Sequence, residues 1–426
     1  MWKTCGLVWM CGYSSEPSAR CFRRKACLSR RRSRWRWFRR CRRRKAGRRP
    51  SCRRRAKTRG RRVASMNKAT DKRLKPVKTV SLVVVARNAQ AVIGDLLDDI
   101  TAQDYPHERI EVLLVDSAST DETKRRFEDF ARERQDFIAV TVLDNTERFL
   151  PHGCNVALKA YRGDVFLRVD AHARIPADFI RKNVEVLNDG NCVCGGVRPV
   201  KLQEQTAWGQ TLLLAEESVF GSSPAMYRRT GQVREVSSVF RGAYRREVFD
   251  IVGLYNEQLK RTEDNDMSYR IRQQGFKILM DPSISSTHFL RGSFRKMLEQ
   301  KAGNGYWIGR TLFISPGCLG LFSFVPLVFV LALLVGVVLG LLLGSFAGWL
   351  PLIGLVCLYA AVALAVSVIS VARASQKNIT MAALPFVFLI MHLVYGFATL
   401  AGLCVGAVRA LFGIGRKQAH GSETSV

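Results

Sequence analysis

An α/β domain with a largely parallel sheet, followed by helices long enough to cross a bilayer, is the fold class this 426-residue sequence predicts. Three observations predict it. Short β-branched runs alternate with amphipathic stretches from about Thr79 to Ser293, and acidic residues recur where those runs end. Three apolar segments then follow at once, Leu319 to Gly344, Phe346 to Ser370 and Met381 to Val408. Each meets the length of about 20 residues that a helix needs to cross a hydrocarbon core.

The elements follow in order. Val80 to Ala86 is a nearly continuous apolar run, as expected of a strand covered on both faces. Ala91 to Gln103 has helical spacing. Ile110 to Val115 is a second buried strand, and Thr120 to Arg134 a charged helix with an acidic first turn. Ile138 to Leu143 is a third strand, His152 to Tyr161 a helix, and Asp164 to Val169 a fourth strand. This alternation argues for a parallel sheet. Polar residues end the strands: Arg87 and Asn88, Asp116, Asp144 and Asn145, then Asp170 and His172. Open α/β sheets bind ligands beyond the carboxyl ends of their strands, so these groups are expected to line one crevice. A dinucleotide fingerprint would place glycines after the first strand, where Ala86-Arg87-Asn88-Ala89-Gln90 has none, so NAD chemistry is disfavoured.

The formal charge of +32 divides unevenly. Residues 1–62 hold 25 Lys and Arg against one acid, Glu16, and so carry +24; the rest carries +8. A block of like charge binds polyanions indiscriminately, but this one has no apolar periodicity and no nucleic-acid module, so a nucleic-acid partner is not expected. Its opening stretch is too short for a signal sequence. Residues 1–65 read as translated upstream sequence, with Met66 as the expected start. The cysteines show neither zinc spacing nor a disulfide framework, so the catalytic domain is expected to be reduced and cytosol-facing.

Four motifs together resemble the GT-A fold, family 2 glycosyltransferases. Val80 to Asn88 resembles their first strand, and Leu114-Val115-Asp116-Ser117-Ala118-Ser119-Thr120-Asp121 resembles their Val-Asp-Asp-Gly-Ser-Thr-Asp turn. Asp170-Ala171-His172 stands where they carry Asp-x-Asp, and Glu263-Asp264 where they carry the acceptor base. The likeness covers roughly Thr79 to Arg310 and is greatest to the membrane-bound succinoglycan-biosynthesis type.

The resemblance implies an inverting transferase that moves a sugar from a nucleotide-diphosphate donor to a lipid-linked saccharide during exopolysaccharide assembly. Asp170 and His172 would hold Mn²⁺ or Mg²⁺ on the diphosphate, whose leaving charge needs a cation; imidazole tilts the choice towards Mn²⁺. Arg87, Asp116 and Asp170 would contact the donor. Asp264, with Glu263 beside it, would take the proton of the acceptor hydroxyl. Locally, Thr262 to Asp266 reads equally well as a capped acidic helix start. Gln300 and Trp307 would close over the substrates, although the Arg of the family's Gln-x-x-Arg-Trp is missing. Arg241 and Gly242 match an acceptor-side segment that reads equally well as a strand and turn.

The expected organisation is an Arg-rich extension at 1–65, a catalytic domain at 76–293, an interfacial segment at 294–318, three membrane helices within 319–408 and a tail at 409–426. The aromatic and basic stretch from Arg291 to Phe313 suits an interfacial helix. With the catalytic domain in the cytosol, at the inner membrane, Arg373 and Lys377 fall inside. A third span would then send Arg409, Arg416 and Lys417 outside, against the positive-inside rule. That segment therefore reads either as a span or as a re-entrant or interfacial element, and its His392 either faces protein or serves the acceptor lipid. Two other readings stand beside the transferase: a processive synthase, which would carry more spans, and a non-enzymatic membrane protein that binds polyanions.

Overall fold

The computed structural model describes residues 74–222, 231–239, 241–290 and 293–412; the basic extension and most of the tail lie outside them. Strands β1 (Val80–Ala86), β2 (Ile110–Asp116), β3 (Ala139–Asp144) and β4 (Val165–Asp170) alternate with helices α1 (Ile93–Thr101), α2 (Thr123–Glu133) and α3 (Leu150–Ala160). All four strands are parallel. The chain continues through β5 (Ala173–Arg174), α4 (Phe179–Asn188), β6 (Val193–Val197), β7 (Val200–Leu202), α5 (Ala207–Glu217), β8 (Arg234–Glu235), β9 (Ala243–Arg245), α6 (Arg246–Val252) and α7 (Glu263–Gln273). It then forms β10 (Ile278–Ser285) and β11 (Thr287–Leu290).

An eight-stranded sheet results, in the order β3-β2-β1-β4-β9-β6-β10-β8, with a small second sheet β5-β11-β7. Among the described residues, β9 and β8 alone run antiparallel to their neighbours in the large sheet. Its two faces are separately packed, because successive side chains of a strand point opposite ways. Leu82 and Val84 join Ile93, Leu114, Phe127 and Ile180 on one face. Val83 joins Val115, Cys154, Phe166 and Met267 on the other. Each such side chain contributes about 1.5–3 kcal/mol by leaving water. The expected strands and helices of this half are all present, with no end shifted by more than three residues. One detail differs: α2 starts at Thr123, so Asp121 precedes the helix and accepts hydrogen bonds from the Thr123 hydroxyl (2.6 Å) and amide (3.1 Å).

Register sets the site. Ala86 lies opposite Asp116, Asp116 opposite Asp144, and Val85 opposite Asp170. The carboxyl ends of the four strands are therefore level, and the polar residues just beyond them share one edge.

After the sheets come α8 (Phe294–Thr311), α9 (Val325–Leu343), α10 (Phe346–Arg373) and α11 (Leu384–Phe412). With their flanking turns, the last three form segments of 23, 28 and 34 residues that are long and apolar enough to cross a membrane. Gly344, at φ 58°, turns α9 back into α10. The two pack closely: a Cβ on Gly340 would lie 2.4 Å from Trp349.

Candidate functional site

The loops after β1 and β2 are laced together. Asn88 accepts from the Thr120 amide through Oδ1 (2.9 Å), and its own amide donates to Ser119 Oγ (3.0 Å). Asn88 and Ala118 both take positive φ, 49° and 52°. Asparagine tolerates that conformation, whereas alanine is strained in it; a tight loop holds Ala118 where a glycine would be relaxed. Asp116 is 3% exposed. Its Oδ2 accepts from the Ser119 amide (3.1 Å), while its buried Oδ1 has no hydrogen-bond partner. An orphaned carboxylate oxygen at the end of a central strand is an acceptor awaiting a donor, such as a ribose hydroxyl or a base N–H. Arg87 is exposed at the rim of the same edge.

Asp170 and Asp264 come together through a residue that reading the sequence overlooked. Arg168 lies two positions before Asp170 in β4, hence on the same strand face. It is 6% exposed. Its guanidinium donates to both carboxylate oxygens of Asp264 (2.6 and 3.2 Å) and to Asp170 (3.3 Å). A second buried cation, Arg241, stands 3.5 Å from the other oxygen of Asp170 and donates to Ser286 Oγ (2.8 Å). Burial opposes ionisation of Asp170, yet Arg168 and Arg241 hold its carboxyl well below the usual range. Burial lowers the Arg241 guanidinium to about 10, against the pull of Asp170. Arg241 had an equal reading as a solvated strand-and-turn residue. The structure buries it against Asp170, with a backbone φ of 54°.

Glu263 and Asp264 open α7, whose first turn holds three acids, including Asp266, where the helix dipole favours negative charge. The two neighbours differ in surroundings. Asp264 is 35% exposed on its side chain and faces Arg168, whereas Glu263 is 4% exposed with a buried, unpartnered Oε2. Burial, and then the charge of Asp264, push the Glu263 carboxyl well above the carboxylate range. The helix start is clamped from below. Thr262 shares a hydrogen bond with Thr311 of α8 (2.6 Å), Arg261 donates to Asn304 (3.2 Å), and Ser315 donates to Asp266 (2.7 Å).

His172 meets a histidine from the far end of the domain. The rings of His172 and His288, on β11, stand edge to face with centroids 5.1 Å apart. Burial, together with Arg198 and the neighbouring His172, keeps the His288 imidazole neutral, far below its usual range. Its buried Nδ1 has no hydrogen-bond partner. No local signal marks His288, which reaches the site through the pairing of β11 with β5 and β7. Among the described residues no three His, Cys, Asp or Glu side chains converge tightly enough to enclose a cation by themselves. The two oxygens of Asp170 face Arg168 and Arg241 instead, so Asp170 and His172 could hold a cation only with most of its ligands supplied from outside the chain.

Gln300 and Trp307 lie along α8. Gln300 is exposed, while Trp307 is 9% exposed and carries Arg310 above its ring at 4.6 Å. Among the described residues, the hydrogen bonds that tie α8 to the site run through Asn304 and Thr311. His392 faces protein: Tyr359 stands 2.9 Å from its Nδ1 and the Phe220 carbonyl 2.7 Å from its Nε2.

Residues 81–253 match glycosyl transferase family 2. The match ends just before Glu263 and Asp264. A relative from Methanococcus voltae, a dolichyl N-acetyl-alpha-D-glucosaminyl phosphate 3-beta-D-2,3-diacetamido-2,3-dideoxy-beta-D-glucuronosyltransferase, is 24% identical over 270 residues, covering 62% of this chain and 83% of that one. Succinoglycan biosynthesis protein ExoA of Rhizobium meliloti (strain 1021) is 28% identical over 239 residues, covering 53% and 68%. Among solved structures, the mannosyltransferase PcManGT from Pyrobaculum calidifontis, in complex with GDP-Man and Mn²⁺, aligns with 84% of this chain and 96% of its own at a TM-score of 0.45 and 20% identity.

Proposed function

Because the chain carries a family 2 glycosyltransferase domain and is therefore a transferase, we propose that it inverts a nucleotide-diphosphate sugar onto a lipid-linked saccharide acceptor at the membrane face, in exopolysaccharide assembly. Its place would be the inner membrane, with the catalytic domain in the cytosol. The names of two relatives support the acceptor class, one acting on a dolichyl-linked sugar phosphate and one in succinoglycan biosynthesis.

One observation carries the site assignment: the Arg168 fork that joins Asp170 on β4 to Asp264 on α7. It sets a donor-side carboxylate and an acceptor-side carboxylate on either side of one buried cation. On the donor side, the free oxygen of Asp116 accepts from the nucleoside, and Arg87 at the rim meets the diphosphate charge. Asp170 and His172, with further ligands from the diphosphate and water, would hold Mn²⁺ or Mg²⁺, which would neutralise charge on the departing diphosphate.

On the acceptor side, Asp264 takes the proton of the attacking hydroxyl. The hydroxyl oxygen forms its bond to the anomeric carbon as the bond from that carbon to the diphosphate oxygen breaks, and the electron pair leaves with the nucleoside diphosphate. Attack from the opposite face inverts the centre, so an α-linked donor gives a β-linked product. Arg168 faces Asp264 and not Glu263, which, buried and next to a like charge, keeps its proton. Gln300 and Trp307, on the helix that holds Arg261 and Thr262 just ahead of the base, would close over the substrates.

The test is a panel of radiolabelled nucleotide-sugars offered to membranes carrying the protein, followed by organic extraction. Label appearing in extractable lipid, dependent on a divalent cation, supports the reading. Label found only in water-soluble polymer, or none with any donor, overturns it.

A further inference from the structure

We infer that α11 is not a third membrane crossing but lies in the plane of the leaflet nearest the catalytic domain, so that α9 and α10 alone cross the bilayer. The partner of its free face is lipid. This inference does not depend on the transferase reading.

The start of α11 is buried against the catalytic domain, and its end lies within electrostatic range of it. At its start, Leu384, Val387, Phe388 and Met391 are buried with Leu212 and Ala215 of α5, Leu290 of β11 and Met297 of α8. The Phe388 ring stands edge to face on Phe220 at 5.3 Å. Near its end, Arg409 is close enough to Lys260 that its charge, after burial and Arg310, helps hold the Lys260 ammonium below its usual range. A helix of 29 residues is about 43 Å long, against a hydrocarbon core of about 30 Å. A crossing helix would carry Arg409 to the far headgroups, out of reach of Lys260.

Between its ends, α11 rides along α8 with backbones in contact. A Cβ on Gly305 would lie 2.4 Å from the Tyr395 carbonyl, one on Gly309 2.3 Å from that of Thr399, and one on Gly402 2.0 Å from that of Tyr306. Phe313 closes on Gly406. The contacts advance together along both helices, which therefore run parallel. Further bonds tie α8 to the catalytic domain: Lys301 to Glu216 of α5 at 2.8 Å, besides the links to Arg261 and Thr262. A helix pinned lengthwise to an element that is itself pinned to the domain has no freedom to stand across the bilayer.

The opposite face is apolar and unpartnered. Phe386, Ile390, Phe397 and Val408 are 68, 39, 49 and 49% exposed, and their spacing of 4, 7 and 11 residues keeps them on one side of a helix. Helices of this kind lie in the interface with the apolar face in the acyl layer; here the packed catalytic domain stands where such a helix usually has a polar face. Charge agrees. The far turn of the hairpin, Leu343 to Phe346, has no charged residue, whereas Arg373, Lys377 and Arg409 all fall on the catalytic side, and Arg416 and Lys417 follow in sequence. The conflict with the positive-inside rule that a third span creates is removed.

The test uses the full chain, with one epitope tag at a time ahead of Lys75, in the turn between Gly344 and Ser345, or after Val426. Each tag is probed in sealed vesicles of both orientations. The inference expects the tags before Lys75 and after Val426 to be protected or accessible together, with the turn tag opposite. A tag after Val426 that behaves like the turn tag would overturn it. If the turn insertion prevents membrane assembly, the two outer tags decide alone, on the same side for the in-plane helix and on opposite sides for a crossing.

Discussion

The two halves of the candidate site are built from the same residue types and treated oppositely. On the β4 side, Asp170 sits between two guanidiniums and is held ionised. At the start of α7, Glu263 has no cation against its buried oxygen and is held protonated, while Asp264 beside it shares Arg168. In the proposed mechanism these surroundings give the carboxylates different roles: Asp170 as a fixed negative charge on the diphosphate side, and Asp264 as the base beside a neutral Glu263 on the acceptor side.

Removing the bridge tests that comparison most severely. Arg168→Met leaves Asp170 and Asp264 facing each other without their shared cation. Breaking a buried ion pair in this way costs about 3–5 kcal/mol. We expect a lower Tm together with loss of both donor binding and turnover; a variant that kept donor affinity and lost only turnover would confine Arg168 to the acceptor half. Glu263→Gln should do much less, since glutamine resembles the protonated acid already present, so most turnover should survive. Its effect should instead appear in the pH dependence of stability. A carboxyl whose folded value is raised binds its proton more tightly in the folded chain, so its stabilising contribution is complete below the ordinary value of 4.5 and is lost as pH rises through the raised one. The Tm of the wild type should therefore fall, relative to Glu263→Gln, as pH is raised across that window. Parallel Tm profiles would remove the protonated Glu263 from the account. The smallest effect is expected on the donor edge, where Ala118→Gly relieves a left-handed alanine. It should raise stability by about 1 kcal/mol with turnover unchanged; destabilisation would mean that the loop relies on the methyl group.

The donor edge was legible in the sequence because its signals are local. A β-branched run ending in a carboxylate marks both a strand and its carboxyl end, and parallel register then levels Asp116, Asp144 and Asp170 without further information. Asp264 could be named only by resemblance, since an acidic helix start is also ordinary capping. His288 was out of reach, because it arrives by the pairing of β11 with β5, more than a hundred residues after His172. Arg168 did leave a signal: a charged residue inside the buried strand Val165–Asp170 must find a carboxylate, and Asp170, two places on along the same face, is one. The apolar segments show the opposite limit. Composition makes α9, α10 and α11 alike, and the packing of α11 on α5 and along α8 sets it apart.

The central claim, a donor half at Asp170 and an acceptor base at Asp264, is tested most directly by measuring nucleotide-sugar binding and turnover side by side in Asp170→Asn and Asp264→Asn. With the donor sugar established and a divalent cation present, Asp264→Asn should bind donor as the wild type does while transfer falls by about 10²–10⁴, the contribution of a positioned general base. Asp170→Asn should lose the cation-dependent part of donor binding. Near-normal transfer by Asp264→Asn, or equal loss of donor binding in both variants, would contradict the division of the site into these two halves.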